Sequence, residues 1–499
     1  MTNSTPFRLF NTLTGVVDPV RPLESGHLRM YGCGPTVYSY AHIGNFRSFL
    51  TADLILRTAR ALGWKTTYVS NVTDVGHLTT DDTIDPTGED RMARALKSKE
   101  GEHFANVWDL ANYYTDSFLQ DWEKLGLLEP DVRPRATTHV PQQIVAIQKL
   151  IAQGAAYVTS QAVYFSVASF EEYGKLSGNI AASQLEHAVR DIVQDSEKRD
   201  PRDFALWKRD PKHLMQWDSP WGRGFPGWHI ECSVMAQEYL GASIDLHTGG
   251  EDLIFPHHEC EIAQAESLTG ETFAHHWVHT RFLQVEGQKM SKSSGNFLRV
   301  RDLLGPQAPV QDHLALRLAL MSGHYRQPFN FTYDTLTDSV QHVMRLGRAV
   351  KQANLAKSIK TRSNGQALCE RLEYQYHMVL EAMKDDLNTP EAIAATLRGV
   401  KDIRTAGSAL NAKSAECALR FIDRINDLLG IVPFETRASD PRAEEISRLI
   451  SKRKEAKSRR DYVLADELRD RILAYGVTLS DNPDGTTTWE NTSTLTRSN

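Results

Sequence analysis

No stretch of this sequence approaches the roughly 18 apolar residues that cross a bilayer. The opening Met1-Thr2-Asn3-Ser4-Thr5-Pro6 carries neither the basic nor the apolar region of a secretory signal. A cytoplasmic protein with no membrane partner is expected. Cysteine is scarce: five residues, at 33, 232, 260, 369 and 417, widely spaced and odd in number. That argues against a disulfide framework and for a reducing compartment, leaving one or two thiols as candidate ligands. Positive charge is not in excess either, with 57 Lys and Arg against 63 Asp and Glu and a formal charge of -6. A polyanionic partner would have to be met by local basic charge. The 20 prolines and 31 glycines give no sign of collagen or wholesale disorder, and 41% hydrophobic with 24% charged residues is ordinary globular usage. A chain of 499 residues then predicts two to four domains.

The order of elements points to an α/β protein. A short run from His27 to Tyr31 leads into Gly32-Cys33-Gly34-Pro35, and Ser48 to Leu62 carries apolar residues at helical spacing before Gly63. Thr66 to Val69 reads as a second strand, so the chain opens on a βαβ unit whose first loop is rich in special residues. Open α/β sheets bind ligands at such loops. Residues 100–130 and 139–153 read as helices, the latter stopped by Gly154, whereas 155–225 lose that regularity. The organisation expected is a Rossmann-like parallel-sheet catalytic domain in two halves, 1–130 and 226–310, split by an insertion at 131–225. An α-helical bundle at 311–435 follows, then a linker from Thr436 to Pro441 and a small module at 441–499.

Two loops have the chemistry to hold phosphate. In Tyr40-Ala41-His42-Ile43-Gly44-Asn45 a histidine precedes a helix, whose N-terminus offers N–H groups and the positive end of its dipole, and Gly44 permits close backbone approach. In Lys289-Met290-Ser291-Lys292-Ser293, two lysines three apart can clamp the charge that develops in nucleotidyl transfer. Together they resemble the His-Ile-Gly-His and Lys-Met-Ser-Lys-Ser signatures of class I aminoacyl-tRNA synthetases, which activate an amino acid with ATP. Asn45 stands where the family signature has its second histidine. A third constellation is metal-like. Cys33, Cys232 in Gly227-Trp228-His229-Ile230-Glu231-Cys232, and Pro256-His257-His258-Glu259-Cys260-Glu261 combine soft and hard donors. Pro256 suits the first turn of a helix running to Thr269-Gly270, which puts His257 and Glu261 on one face. Two thiolates, an imidazole and a carboxylate suit zinc. Cys260, His258 and His229 remain rival ligands on spacing alone.

Gly32 to Tyr38, Asn71-Val72-Thr73-Asp74-Val75, Gly227 to Ser233, Phe255 to Glu259 and the lysine loop together resemble, in order and over nearly the whole chain, the cysteinyl-tRNA synthetase family. The resemblance implies one zinc ion per chain on Cys33, Cys232, His257 and Glu261, with Cys33, Thr73 and Trp228 at the cysteine pocket. It implies ATP contacts from His42, Gly44, Asn45, Gly249, Gly250, Asp252, Lys289 and Lys292, with Mg²⁺ accompanying the nucleotide and His42, Asn45, Lys289 and Lys292 as the catalytic set. The partners implied are L-cysteine, ATP and tRNA(Cys), on a monomer. Zinc also answers a selectivity problem. Shape separates near-isosteres such as cysteine and serine by only a few kcal/mol, whereas a metal-bound thiol ionises and a hydroxyl is a poor ligand. No editing domain is expected.

The missing basic charge is in the last module. Arg448 to Arg460 hold seven Lys and Arg against Glu455, a local balance of +6. Lys452, Arg453, Lys457 and Arg460 are candidate phosphate contacts, and Trp489 a candidate for stacking on an unpaired base. The same adenylate chemistry serves the cysteine ligase of mycothiol biosynthesis, which has no use for an anticodon-reading module. A non-catalytic, synthetase-like RNA-binding protein would have no need of His42, Lys289, Lys292 and the metal residues.

Overall fold

The computed structural model describes residues 6–77, 90–178, 197–291, 294–305, 308–359, 365–433, 443–475, 477–481 and 487–491. A mixed run and a run rich in β-branched residues form parallel strands β1 (His27–Gly32) and β2 (Lys65–Ser70), with Met30 facing Tyr68 across the pair. They are joined by helix α1 (Ile43–Ala61). The chain returns to the same sheet much later with β3 (Ile244–Gly250) and β4 (Ala274–Thr280), giving the all-parallel order β4-β3-β1-β2. Strand order reverses between β1 and β3, and the crevice outside the carboxyl ends of a parallel sheet at such a reversal is where ligands bind. Cys33, Asn71, Glu251 and Arg281 each directly follow a strand at this edge. Helix α2 (Trp228–Leu240) leads into β3, and α3 (Glu259–Thr269) connects β3 to β4, closing on left-handed Gly270.

α1 starts at Ile43 and not near Ser48. Its start signal is a capping box made by His42 and Asn45, a pair outside the usual Ser, Thr or Asp vocabulary. Its buried residues pack on two sides. Leu50, Leu54 and Ile55 belong to one apolar cluster with Leu246 and Val278 of the sheet and with Leu316, Val343 and Ile422 of the C-terminal helices. Those helices span Val310–Leu320, Tyr333–Ala356, Gln366–Lys384, Thr389–Ala406 and Ala412–Leu429. The stretch 390–430 is thus two helices, broken where Gly407 takes a φ of 49° and Asn411 caps the next. Beneath them Asp53 on α1 pairs with Arg317, itself donating to the Leu429 carbonyl at 2.8 Å, and with Arg57 at 2.8 Å.

The described residues of 155–226 contain four short antiparallel strands, Ala156–Val158, Ala162–Phe165, Phe204–Lys208 and Phe225–Pro226, in that spatial order. Strands of two to five residues are too short for alternation to show. Val163, Phe165, Phe204 and Trp207 pack with Ile147 and Leu150 of the helix Val140–Ala152 and with Ile230 and Val234 of α2.

The expectation of no disulfide is overturned for one pair: Cys369 and Cys417 form a disulfide between the packed helices Gln366–Lys384 and Ala412–Leu429. They are 48 residues apart, and an odd cysteine count says nothing about which helix faces meet. The expected linker at 436–441 lies outside the described residues. Beyond it, helices Ala443–Ser458 and Tyr462–Leu473 and the hairpin Val477–Asp481 with Thr487–Asn491 share a small core of Ile446, Leu449, Leu468, Ile472 and Val477. Among the described residues no helix is long and apolar enough to cross a membrane.

Candidate active site and metal centre

His42 sits at the mouth of the crevice, at the N-terminus of α1. Its Nδ1 accepts from the Asn45 backbone N–H at 3.1 Å, and the Asn45 side-chain oxygen accepts from the His42 N–H at 3.0 Å. The departure at position 45 therefore supplies a cap. The lysine loop lies against this helix start. The Ile43 N–H donates to the Leu298 carbonyl at 3.0 Å, and a Cβ on Gly44 would come within 3.3 Å of the Met290 methyl. Asn296 holds the loop from both ends, accepting from Ser291 N–H at 2.9 Å and donating to the Lys289 carbonyl at 3.1 Å. Lys289 is exposed; Lys292 lies outside the described residues. Gly249 and Gly250 end β3 and lead into the turn Glu251–Leu253 that carries Asp252. Gly249 has no room for a side chain, since a Cβ would stand 2.6 Å from the His258 ring.

Deeper in the crevice, donor atoms of Cys33, Cys232, His257 and Glu261 lie within 4.8 Å of one another, all buried. Cys33 follows β1, Cys232 is on α2, and the other two flank the start of α3. Tetrahedral zinc with bonds of about 2.3 Å to sulfur sets two sulfurs about 3.8 Å apart; those of Cys33 and Cys232 are 3.9 Å apart. The donors fit such an ion in number, charge and spacing. Pro256 belongs to a turn before α3, with Phe255 extended, and not to the helix's first turn, yet His257 Nε2 still meets Glu261 Oε1 at 2.9 Å. A second group, Cys33, His247, His258 and Glu261, is equally close, with His258 Nε2 3.3 Å from the Cys33 sulfur. Cys260 belongs to neither group; its sulfur faces the Tyr173 hydroxyl at 3.5 Å. His229 stands behind His257, the two Nδ1 atoms 2.9 Å apart, where one donates and the other accepts. Such a contact orients a ligating ring.

The buried charges compensate one another. Burial alone would raise the Glu261 carboxyl, but His247 and His257 hold it down at about 2. Burial would lower His257, and Glu261 with Cys232 lifts it to about 10. A hydrogen bond from Cys33 brings the Cys232 thiol down to about 7, while burial and that same bond push Cys33 well up. One thiolate is thus favoured in this pair by its neighbours alone.

Thr73 is buried, its hydroxyl accepting from the Asn71 side chain at 3.0 Å. Asn71 also receives the Gly34 N–H at 2.8 Å, and its backbone leaves no space for a Cβ at Gly34, which would stand 1.6 Å from the carbonyl oxygen. Trp228 is half-buried with its ring 4.3 Å from that of His257. In the last module Lys452, Lys457 and Arg460 are exposed, but Arg453 is only 7% exposed. Burial sets Arg453 apart from the three exposed cations among the candidate phosphate contacts. Trp489 pairs with Leu479 in the hairpin. Sequence reasoning missed His247, His279, Asn71 and Glu259. His279 lies near the carboxyl end of β4 and His247 midway along β3; His258 Nδ1 meets His279 Nε2 at 2.8 Å, and His279 meets the Thr12 hydroxyl at 2.7 Å.

Residues 19–341 match the family model described as tRNA synthetases class I (C) catalytic domain, and 378–433 match the DALR domain. The cysteine--tRNA ligase of Salinibacter ruber is 55% identical over 513 residues, covering 98% of each chain. That of Thermus thermophilus is 40% identical over 483 residues, covering 96% of this chain and 98% of its own. Mycobacterium tuberculosis methionyl-tRNA synthetase in complex with methionyl-adenylate superposes with a TM-score of 0.57 at 13% identity, covering 85% of this chain and 94% of its own. At that identity the likeness is one of fold. Catalytic-domain match and end-to-end relatives agree, and the chain belongs to the cysteine--tRNA ligase family of class I aminoacyl-tRNA synthetases.

Proposed function

We propose that this chain joins L-cysteine to the 3′ end of tRNA(Cys) in two steps. The cysteine carboxylate attacks the α-phosphorus of ATP and pyrophosphate leaves; a hydroxyl of the terminal ribose then attacks the acyl carbon and AMP leaves. The observation that carries this reading is the convergence of Cys33, Cys232, His257 and Glu261 in the same crevice as the His42 and lysine loops. Those four residues would hold zinc. Bound there, it would ionise a thiol and take it as a ligand while leaving a hydroxyl un-ionised.

The chain's own groups do the rest. Trp228 and Thr73 line the amino-acid pocket. Gly249 and Gly250 let backbone approach the adenosine, and Asp252 accepts from a ribose hydroxyl. His42, at the positive end of α1, and Lys289 with Lys292 stabilise the charge on the phosphates as the α-phosphorus is attacked, with Mg²⁺ on the nucleotide and Asn45 keeping His42 in place. The organisation that serves this is a catalytic domain at 1–130 and 226–310, an insertion at 131–225, a helical bundle at 311–435 and a tRNA-contacting module at 441–499. Lys452, Lys457, Arg460 and Trp489 are the contacts assigned to that module. The reaction is placed in the cytoplasm, on a monomer.

Pyrophosphate exchange tests the reading. The wild-type chain should exchange only with cysteine and then charge tRNA(Cys), and Lys289→Ala should lose exchange by about 100-fold or more with its zinc content unchanged. Exchange in Lys289→Ala at the wild-type rate would remove the role given to the loop.

A further inference from the structure

Glu259, the residue that opens α3, is fully buried two positions before Glu261, and no catalytic step uses it. Its carboxylate is spent on a distant piece of chain. Oε1 accepts from the Gly174 N–H at 2.8 Å; Oε2 accepts from the N–H groups of Leu176 at 3.2 Å and Ser177 at 2.8 Å and from the Ser177 hydroxyl at 2.8 Å. Three amides and a hydroxyl satisfy the buried carboxylate, with no cation in contact among the described residues, an arrangement that fixes the backbone of 174–177 as a loop around one side chain. Two further contacts run along the same helix. The Tyr173 hydroxyl meets the Cys260 sulfur at 3.5 Å, and Lys175 Nζ meets Glu266 at 2.5 Å. Leu176, held between two of the bonded amides, is buried in the apolar cluster that contains Tyr31, Cys33, Cys232 and Ile262.

From this geometry we infer that Glu259 is a positioning residue for thiol selection: it straps residues 173–177 against α3 so that Leu176 forms part of the apolar wall behind the two cysteine ligands. The inference rests on the proposed zinc site. The apolar shell around a metal controls water access and local dielectric, and loss of outer-shell partners of the ligands typically costs about 10–100-fold in metal affinity or activity. Loosening the strap admits water beside Cys33 and Cys232, weakening metal retention and thiolate binding, while the nucleotide loops, held by His42, Asn45 and Asn296, are untouched.

The full-length enzyme carrying Glu259→Gln, which keeps the volume but loses the charge and one accepting oxygen, and separately Leu176→Ala, which removes the wall and leaves the carboxylate bonded, should be compared with wild type. The readouts are zinc release to a colorimetric chelator and KM for cysteine and for ATP in pyrophosphate exchange. Both variants should release zinc about 10-fold faster or more and raise KM for cysteine by a similar factor, with KM for ATP changed less than about 2-fold. Serine activation relative to cysteine should rise. If Glu259→Gln does not fold, Leu176→Ala carries the test alone. Wild-type zinc release with an unchanged cysteine KM in a folded variant, or equal rises in both KM values, overturns the inference. A wild-type protein that holds no zinc overturns the proposed site instead.

Discussion

Glu261 joins two histidines of the crevice, with His257 at 2.9 Å on one oxygen and His247 at 3.0 Å on the other. Glu261→Gln keeps the shape and removes the charge that holds His257 protonated in the metal-free protein and that would face the ion in the loaded one. We expect zinc per chain, measured by atomic absorption after dialysis, to fall well below one, and KM for cysteine to rise by at least about 10-fold. Stoichiometric zinc in that variant would remove Glu261 from the ligand set. The residue types here were legible in the sequence because two thiols, a histidine and a carboxylate are an uncommon donor set. Their meeting was not, since Cys33 and Cys232 stand 199 positions apart and only the fold of β1 and α2 joins them. His247 and His279 were silent for the same reason: a lone histidine in a strand has no spacing to announce it.

α1 carries its functional histidine at one end and its anchorage in the middle. Asp53 is buried between Arg57 and Arg317; burial would raise its carboxyl, but the two guanidiniums and the Leu128 N–H hold it below the usual range. Removing one partner of a buried pair costs about 3–5 kcal/mol, because a charge is left unmatched. Asp53→Asn should therefore lower the thermal midpoint strongly at neutral pH. Because the folded-state value is depressed, Asp53 stabilises fully above the ordinary carboxylate range and loses that contribution as pH falls through its folded value. The gap between wild type and Asp53→Asn should narrow on acidification; a gap independent of pH would show the pair to be inert. At the other end, Asn45→Ala removes half of the capping box, worth about 1 kcal/mol, and should slow pyrophosphate exchange more than it lowers the melting temperature. Elements of this length were readable from periodicity. The sheet at 156–226 was not, its strands being too short, and the start of α1 was set by a His–Asn cap that propensity does not flag.

At the scale of the whole molecule, charge and cysteine count behaved differently. The basic run of 448–460 is mostly exposed, as its composition suggested, apart from Arg453. Lys452→Ala and Lys457→Ala should each reduce the salt slope of tRNA binding by about 1 without affecting cysteine activation; an unchanged slope would put the tRNA elsewhere. The cysteine count, by contrast, concealed a cross-link, because pairing depends on how the helices Gln366–Lys384 and Ala412–Leu429 pack. Thiol titration of the denatured, unreduced protein should find three groups and not five, rising to five after reduction. The central claim is that the buried cluster at the end of β1 chooses cysteine by its thiolate. Charging of tRNA(Cys) with cysteine and serine in parallel, with and without a zinc chelator, tests it most directly. The account predicts efficient charging with cysteine alone, abolished by the chelator and restored by zinc; comparable charging with serine, or cysteine charging indifferent to complete zinc removal, would contradict it.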